Sequence, residues 1–88
     1  MTIYTYLERY KLDSDLTQEF IMKVFKNAGS AELVANKSIA NFNRLCEDRG
    51  KLNYTCNSDK SYIKFDYWDE EGDQWNIIEI QKQEVEDD

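Results

Sequence analysis

The sequence predicts an α+β domain in which two to four short N-terminal helices pack on a C-terminal three-stranded antiparallel β-meander. Two observations lead to this prediction. Before Gly50, apolar residues recur at helical spacing, and after it they alternate with polar residues as in half-buried strands. With 88 residues, the chain is long enough for one domain (residues 1–82), followed by an acidic tail (residues 83–88) that is expected to be mobile.

Two helices are predicted within the first 29 residues. The first covers about residues 2–11, where apolar residues fall at i, i+3, i+4 and i+7 and Thr2 is available as an N-cap. The second begins with a capping box formed by Asp15 and Gln18, carries a wide apolar stripe and stops at Gly29. Each helix would turn one apolar face towards the core.

A third helix is predicted to begin at Ser30, as its N-cap, and to continue to Gly50. The polar stretch at residues 36–38 could divide this helix, with Ser38 as a second cap. Helix, helix and then a β-hairpin is the element order of a winged helix-turn-helix domain. One continuous core helix with a polar face is the other interpretation of the same residues.

Three strands are predicted in the rest of the chain. Residues 52–56 and 63–67 alternate apolar with polar side chains, and residues 74–81 return as the third strand after the acidic loop 69–73. Four residues are expected to hold this meander to the helices: Ile63, Phe65, Ile78 and Ile80.

The net charge of -7 is concentrated at the C-terminal end of the chain. From residue 59 onwards there are eleven acidic and three basic residues, whereas residues 1–58 carry a net charge of +1. Such acidity disfavours nonspecific binding of nucleic acid, because a phosphate backbone would be repelled. Solubility is the simplest reason for charge of this kind.

Enzymatic chemistry and bound cofactors are not expected. The chain has no His and no glycine-rich phosphate loop, and its two cysteines, Cys46 and Cys56, are too few for a zinc site and are expected to be free thiols. No apolar run is long enough to cross a bilayer, and the first residues lack the features of a secretory signal. The sequence therefore predicts a cytoplasmic protein without a metal, a cofactor or membrane contact.

Aromatic residues interleaved with the acidic ones predict a surface that binds a protein partner. The predicted contact residues are Asp66, Trp68, Asp69, Glu70, Glu71, Asp73, Trp75 and Glu79. We expect a small acidic inhibitor that binds a larger, basic nucleic-acid-handling protein, as DNA-mimicking anti-restriction and anti-CRISPR proteins of phages do. The alternative for Trp68 and Trp75 is a cross-strand pair that only closes the hairpin.

Two further functions are compatible with the sequence. The same acidic surface would suit an immunity protein or antitoxin that neutralises a nuclease toxin. A winged helix-turn-helix regulator would instead bind DNA through a different set of residues: Lys37, Ser38, Asn41, Asn43, Arg44 and Arg49. A monomer or a weak homodimer is expected, because charged residues near the sheet edges discourage strand pairing between copies.

Overall fold

A five-stranded antiparallel sheet with one helix on one face accounts for the described part of the chain, residues 1–12, 19–46 and 49–86 of a computed structural model. The elements are β1 (Thr2–Lys11), β2 (Glu19–Phe25), α1 (Ala28–Leu45), β3 (Gly50–Cys56), β4 (Tyr62–Asp69) and β5 (Trp75–Glu84). The strand order is β2-β1-β5-β4-β3. β1 therefore pairs with β2 on one side and with β5 on the other. None of the helical residues described forms a segment both long and apolar enough to cross a membrane.

The predicted multi-helix N-terminal half is wrong, because β1 and β2 form a hairpin where two helices were expected. Both strands carry apolar residues on both faces, and such strands also contain the i, i+3, i+4 spacing of a helix. Tyr4, for example, lies opposite Phe25, and Leu7 lies opposite Met22 on the other face. The predicted capping box, Asp15 and Gln18, lies outside the described residues.

The helix α1 is continuous through residues 36–38, so Ser38 is not a cap. Its N-cap is Asn27, and not Ser30, because the Asn27 Oδ1 accepts a hydrogen bond from the backbone N–H of Ser30 at 2.8 Å. The buried stripe of α1 and its C-cap lies on the sheet and consists of Ala31, Ala35, Ile39, Phe42 and Cys46. The small residues at the start of this stripe let the helix approach the sheet closely.

Replacement of Asn27 by alanine is expected to lower the free energy of unfolding by about 1 kcal/mol, because the Ser30 N–H loses its acceptor. Asn27→Gly is expected to cost only a few tenths of that amount. Urea unfolding of the two variants beside the wild type measures the difference. Equal stability of the alanine variant and the wild type would contradict the capping role of Asn27.

The strands β3, β4 and β5 pair in chain order, but they are part of a larger sheet and do not form a separate meander. β5 is the central strand, and it pairs along its whole length with β1, which places the N-terminal strand inside the sheet. β5 runs to Glu84, beyond the point at which the predicted tail (83–88) begins. Val85 then exchanges two backbone hydrogen bonds of 2.8 Å with Met1.

The core lies between α1 and one face of the sheet. Its sheet side chains are Tyr6, Ile63, Phe65, Tyr67, Ile78 and Ile80, and they include all four residues that were predicted to hold the sheet to helices. Alternation along the strands sends the intervening residues to the opposite side, which we call the open face. The described residues place no second layer on the open face, and Phe20, Met22 and Val24 are exposed there.

Candidate protein-binding surface

The β4–β5 hairpin carries the predicted contact residues, and the structure divides them into three groups. Four of them lie on the open face, because they occupy the positions that alternate with the buried, helix-facing residues of β4 and β5: Asp66, Trp68, Trp75 and Glu79. Asp69 begins the loop at the tip of the hairpin. Glu70, Glu71 and Asp73 are exposed in that loop. We call residues 69–73 the acidic loop.

Trp68 and Trp75 are direct cross-strand partners at the end of the hairpin. Their ring centroids are 5.9 Å apart with planes inclined by 38°. An aromatic pair of this kind stabilises a hairpin by about 0.2 to 1 kcal/mol. Trp68 nevertheless remains 38% exposed, so the pair both closes the hairpin and presents an aromatic surface beside the acidic loop.

Asp69 organises the acidic loop from within. Its backbone N–H donates to the Gln74 carbonyl at 3.0 Å, and its Oδ2 accepts a hydrogen bond from Gln74 Nε2 at 3.2 Å. Gly72 closes the turn at φ +78°, in the left-handed region that favours glycine. Burial raises the pKa of Asp69, but hydrogen bonds from Gln74, Gly72 and Asp73 outweigh it and bring the pKa below its usual value. Asp69 is therefore ionised at neutral pH and acts mainly within the loop.

The other three acidic residues of the loop have side chains that are open to solvent. Glu70, Glu71 and Asp73 are exposed, and none forms an ion pair with a described residue. Two depressions, with volumes of about 270 and 470 Å³, border the loop, and Asp69, Glu70 and Arg49 line both of them. Four carboxylates thus lie at the tip of the hairpin, next to two depressions to which Arg49 and Lys51 also contribute.

Asp66 and Glu79 are less available than the loop residues. Glu79 forms an ion pair with Arg9 at 3.5 Å and accepts a hydrogen bond from the Tyr62 hydroxyl at 3.3 Å. Asp66 is half-buried, and its Oδ1 is buried without a hydrogen-bond partner among the described residues. Glu79 is therefore engaged by neighbouring side chains and Asp66 is partly buried, so both are less accessible than the loop carboxylates.

Sequence reasoning missed the composition of the open face. Four basic residues lie on it, Arg9, Lys11, Lys51 and Lys64, against the two acidic residues Asp66 and Glu79. Lys11 and Lys51 lie beside the tryptophan pair in the register. The period-two spacing of Phe20, Met22 and Val24 was the available signal for an exposed apolar strand, but Phe20 and Val24 also fit a helical stripe. Basic residues therefore outnumber acidic ones on the open face, and the excess of acidic residues in the hairpin lies at its tip.

The structure does not bring the residues predicted for a winged helix-turn-helix onto one face of α1. Ser38 donates a hydrogen bond to the buried Glu8, and Asn43 accepts one from Tyr67 at 2.6 Å, so both side chains face the sheet. Lys37, Asn41 and Arg44 are exposed, and Arg44 donates to Asn41. Arg49 lies beyond the end of α1. The described residues contain a single helix, so they show no helix pair of the kind that this motif requires.

Comparison with protein-family models, curated proteins and solved structures finds no match to this chain. Within the described ranges, no three His, Cys, Asp or Glu residues come together in a way that could hold a metal ion.

Proposed function

We propose that this protein is a small, non-enzymatic inhibitor that binds the basic surface of a larger nucleic-acid-handling protein. The observation that carries the proposal is the cluster of Glu70, Glu71 and Asp73, which are exposed and form no ion pair with described residues, beside the exposed ring of Trp68. A basic groove that normally accepts phosphates offers the complementary charge. The chain acts in the cytoplasm, where such targets are found.

The two parts of this surface have different roles in the proposed complex. The loop carboxylates occupy positions that phosphates take on the target, and their field accelerates the encounter at low ionic strength. Trp68 contributes contact area near the centre of the interface, as tryptophan commonly does at binding hot spots. Binding of the inhibitor and binding of nucleic acid would then exclude each other. The likeness to phage DNA mimics is one of type and concerns charge and size.

Removal of the three loop carboxylates is expected to slow association with the target. The variant Glu70→Ser, Glu71→Ser, Asp73→Ser should keep the fold, because all three side chains are exposed. Its association rate should fall by about tenfold at about 20 mM salt and by much less at about 200 mM, because salt screens charges across distances beyond the Debye length. Biosensor kinetics against a panel of purified basic nucleases and DNA-binding proteins, with and without competing duplex, provide the measurement.

A second triple variant controls for net charge. Asp59→Ser, Glu84→Ser, Glu86→Ser removes the same charge from exposed positions away from the acidic loop. Its association rate should stay close to that of the wild type. Equal slowing in both variants would assign the effect to net charge alone. Simultaneous binding of duplex and inhibitor to the target would refute the proposed competition.

A further inference from the structure

A cavity of about 230 Å³ lies between α1 and the sheet, away from the acidic loop. Its lining comes from β1, β2, α1 and β5, together with Leu12 just after β1: Glu8, Tyr10, Leu12, Ile21, Ser38, Asn41, Phe42, Leu45 and Asn76. The register explains the meeting of the polar groups, because Glu8 lies opposite Ile78 and Tyr10 lies opposite Asn76 on the helix-facing side of the sheet. Ser38 reaches the same point from the middle of α1.

The polar end of the cavity has an excess of hydrogen-bond acceptors. Glu8 is only 4% exposed, and its carboxylate accepts hydrogen bonds from the Tyr6 hydroxyl at 2.6 Å and from the Ser38 hydroxyl. Asn76 is 1% exposed, and its Oδ1 has no hydrogen-bond partner among the described residues. No described Lys or Arg forms an ion pair with Glu8. The Tyr6 and Ser38 hydroxyls are thus engaged with Glu8, while the buried Asn76 Oδ1 remains available as an acceptor.

The Glu8 carboxyl group has no cationic partner among the described residues. A buried carboxylate is stabilised by hydrogen bonds, but a cation would stabilise it further, because isolated charges are costly to keep away from water. The Tyr6 hydroxyl remains a donor to Glu8, since burial and the adjacent Glu8 both raise the pKa of Tyr6. A ligand that suits the site therefore brings hydrogen-bond donors and a positive charge.

The rest of the cavity is apolar. The rings of Tyr10 and Phe42 meet edge to face with centroids 6.4 Å apart, and Leu12 and Ile21 continue this wall. Exposed Asn41 and Leu45 lie at the rim. Aromatic walls also favour a cation by interaction with the ring faces. The volume is below the roughly 300 to 1,000 Å³ of pockets that hold drug-sized ligands, so the occupant must be small.

We propose that this cavity binds a small primary amine, with its ammonium group at Glu8 and Asn76 and its aromatic or aliphatic body against Tyr10, Phe42 and Ile21. The site is independent of the acidic loop and of the proposed inhibitory function. A ligand bound there would contact α1 and the inner strands β1 and β5 at the same time.

Titration with 2-phenylethylamine, followed by ¹H–¹⁵N NMR, tests the proposal on the wild-type chain. The side-chain amide of Asn76 and the backbone amide of Ser38 should shift in a saturable way. The neutral analogue 2-phenylethanol should bind about tenfold more weakly, and the anion 3-phenylpropionate should not shift these signals, because only the amine offers a charged donor to Glu8. Equal binding of amine and alcohol would overturn the proposal.

The variant Glu8→Gln removes the charge and keeps the shape of the side chain. It should weaken 2-phenylethylamine binding by about tenfold or more. The matched control is Glu79→Gln on the open face, which should leave the affinity unchanged. NMR shifts confined to Glu70 and Glu71 would show that the amine binds the acidic loop. Equal losses of affinity in both variants would show that it is attracted only by the net negative charge. Either result would refute the site. The ligand series on the wild type decides the question if Glu8→Gln does not fold.

Discussion

Replacement of Phe65 by alanine is expected to lower the free energy of unfolding by about 3 to 5 kcal/mol. Phe65 lies in the middle of β4, is 3% exposed, and packs edge to face on Tyr54 with ring centroids 5.1 Å apart. Its neighbours in the register are Tyr54 on β3 and Ile78 on β5, both held by strand pairing. They cannot collapse far into the space that the ring leaves, so most of a cavity remains.

Small domains have total stabilities of about 5 to 15 kcal/mol, so this one change would consume a large part of the stability. Chemical denaturation followed by tryptophan fluorescence measures the loss. Phe20→Ala is the matched control, because the same side chain is removed from the open face, where Phe20 is 57% exposed. The control should lose less than about 1 kcal/mol. Similar losses of stability at both positions would mean that Phe20 is buried and that the open face is covered.

The difference between Phe65 and Phe20 also explains which half of the fold the sequence could predict. In β4, buried Ile63, Phe65 and Tyr67 alternate with Lys64 and Asp66, so the period of two is visible in the residue types. In β2, the open-face residues Phe20, Met22 and Val24 are exposed but apolar, and the alternation disappears from the sequence. Secondary-structure prediction from hydrophobic periodicity assumes that exposed residues are polar. The assumption fails on a sheet face that is apolar and uncovered.

The acidic loop and the cavity also differ in how far the sequence could predict them. The acidic loop could be predicted, because its carboxylates and the tryptophan pair lie within one short hairpin and local turn chemistry brings them together. The cavity at Glu8, Ser38 and Asn76 could not, because these residues belong to three elements that are far apart in the chain. Only the pairing of β1 with β5, and the packing of α1 across them, creates their contact. That pairing was hidden by the helical interpretation of β1.

Gly50→Ala is the second substitution from which a large loss is expected. Gly50 begins β3. A Cβ atom at this position would lie 2.0 Å from Tyr67 Cζ and 2.1 Å from its hydroxyl oxygen, which is closer than two such atoms can approach. Tyr67 is 3% exposed, packs edge to face on Phe42 at 5.7 Å, and donates a hydrogen bond to Asn43 Oδ1 at 2.6 Å. The ring must move and lose these contacts, so a loss of about 2 to 4 kcal/mol is expected by chemical denaturation.

Two further variants separate this overlap from a general effect of alanine. Gly29→Ala, in the first turn of α1, meets only an ordinary contact with Asn27 at 3.5 Å and should stabilise the protein by up to about 1 kcal/mol, because alanine favours helix. In a Tyr67→Leu background the overlapping atoms are gone, and Gly50→Ala should then cost less than about 1 kcal/mol. A double-mutant cycle with no coupling between positions 50 and 67 would show that the ring of Tyr67 does not require glycine beneath it.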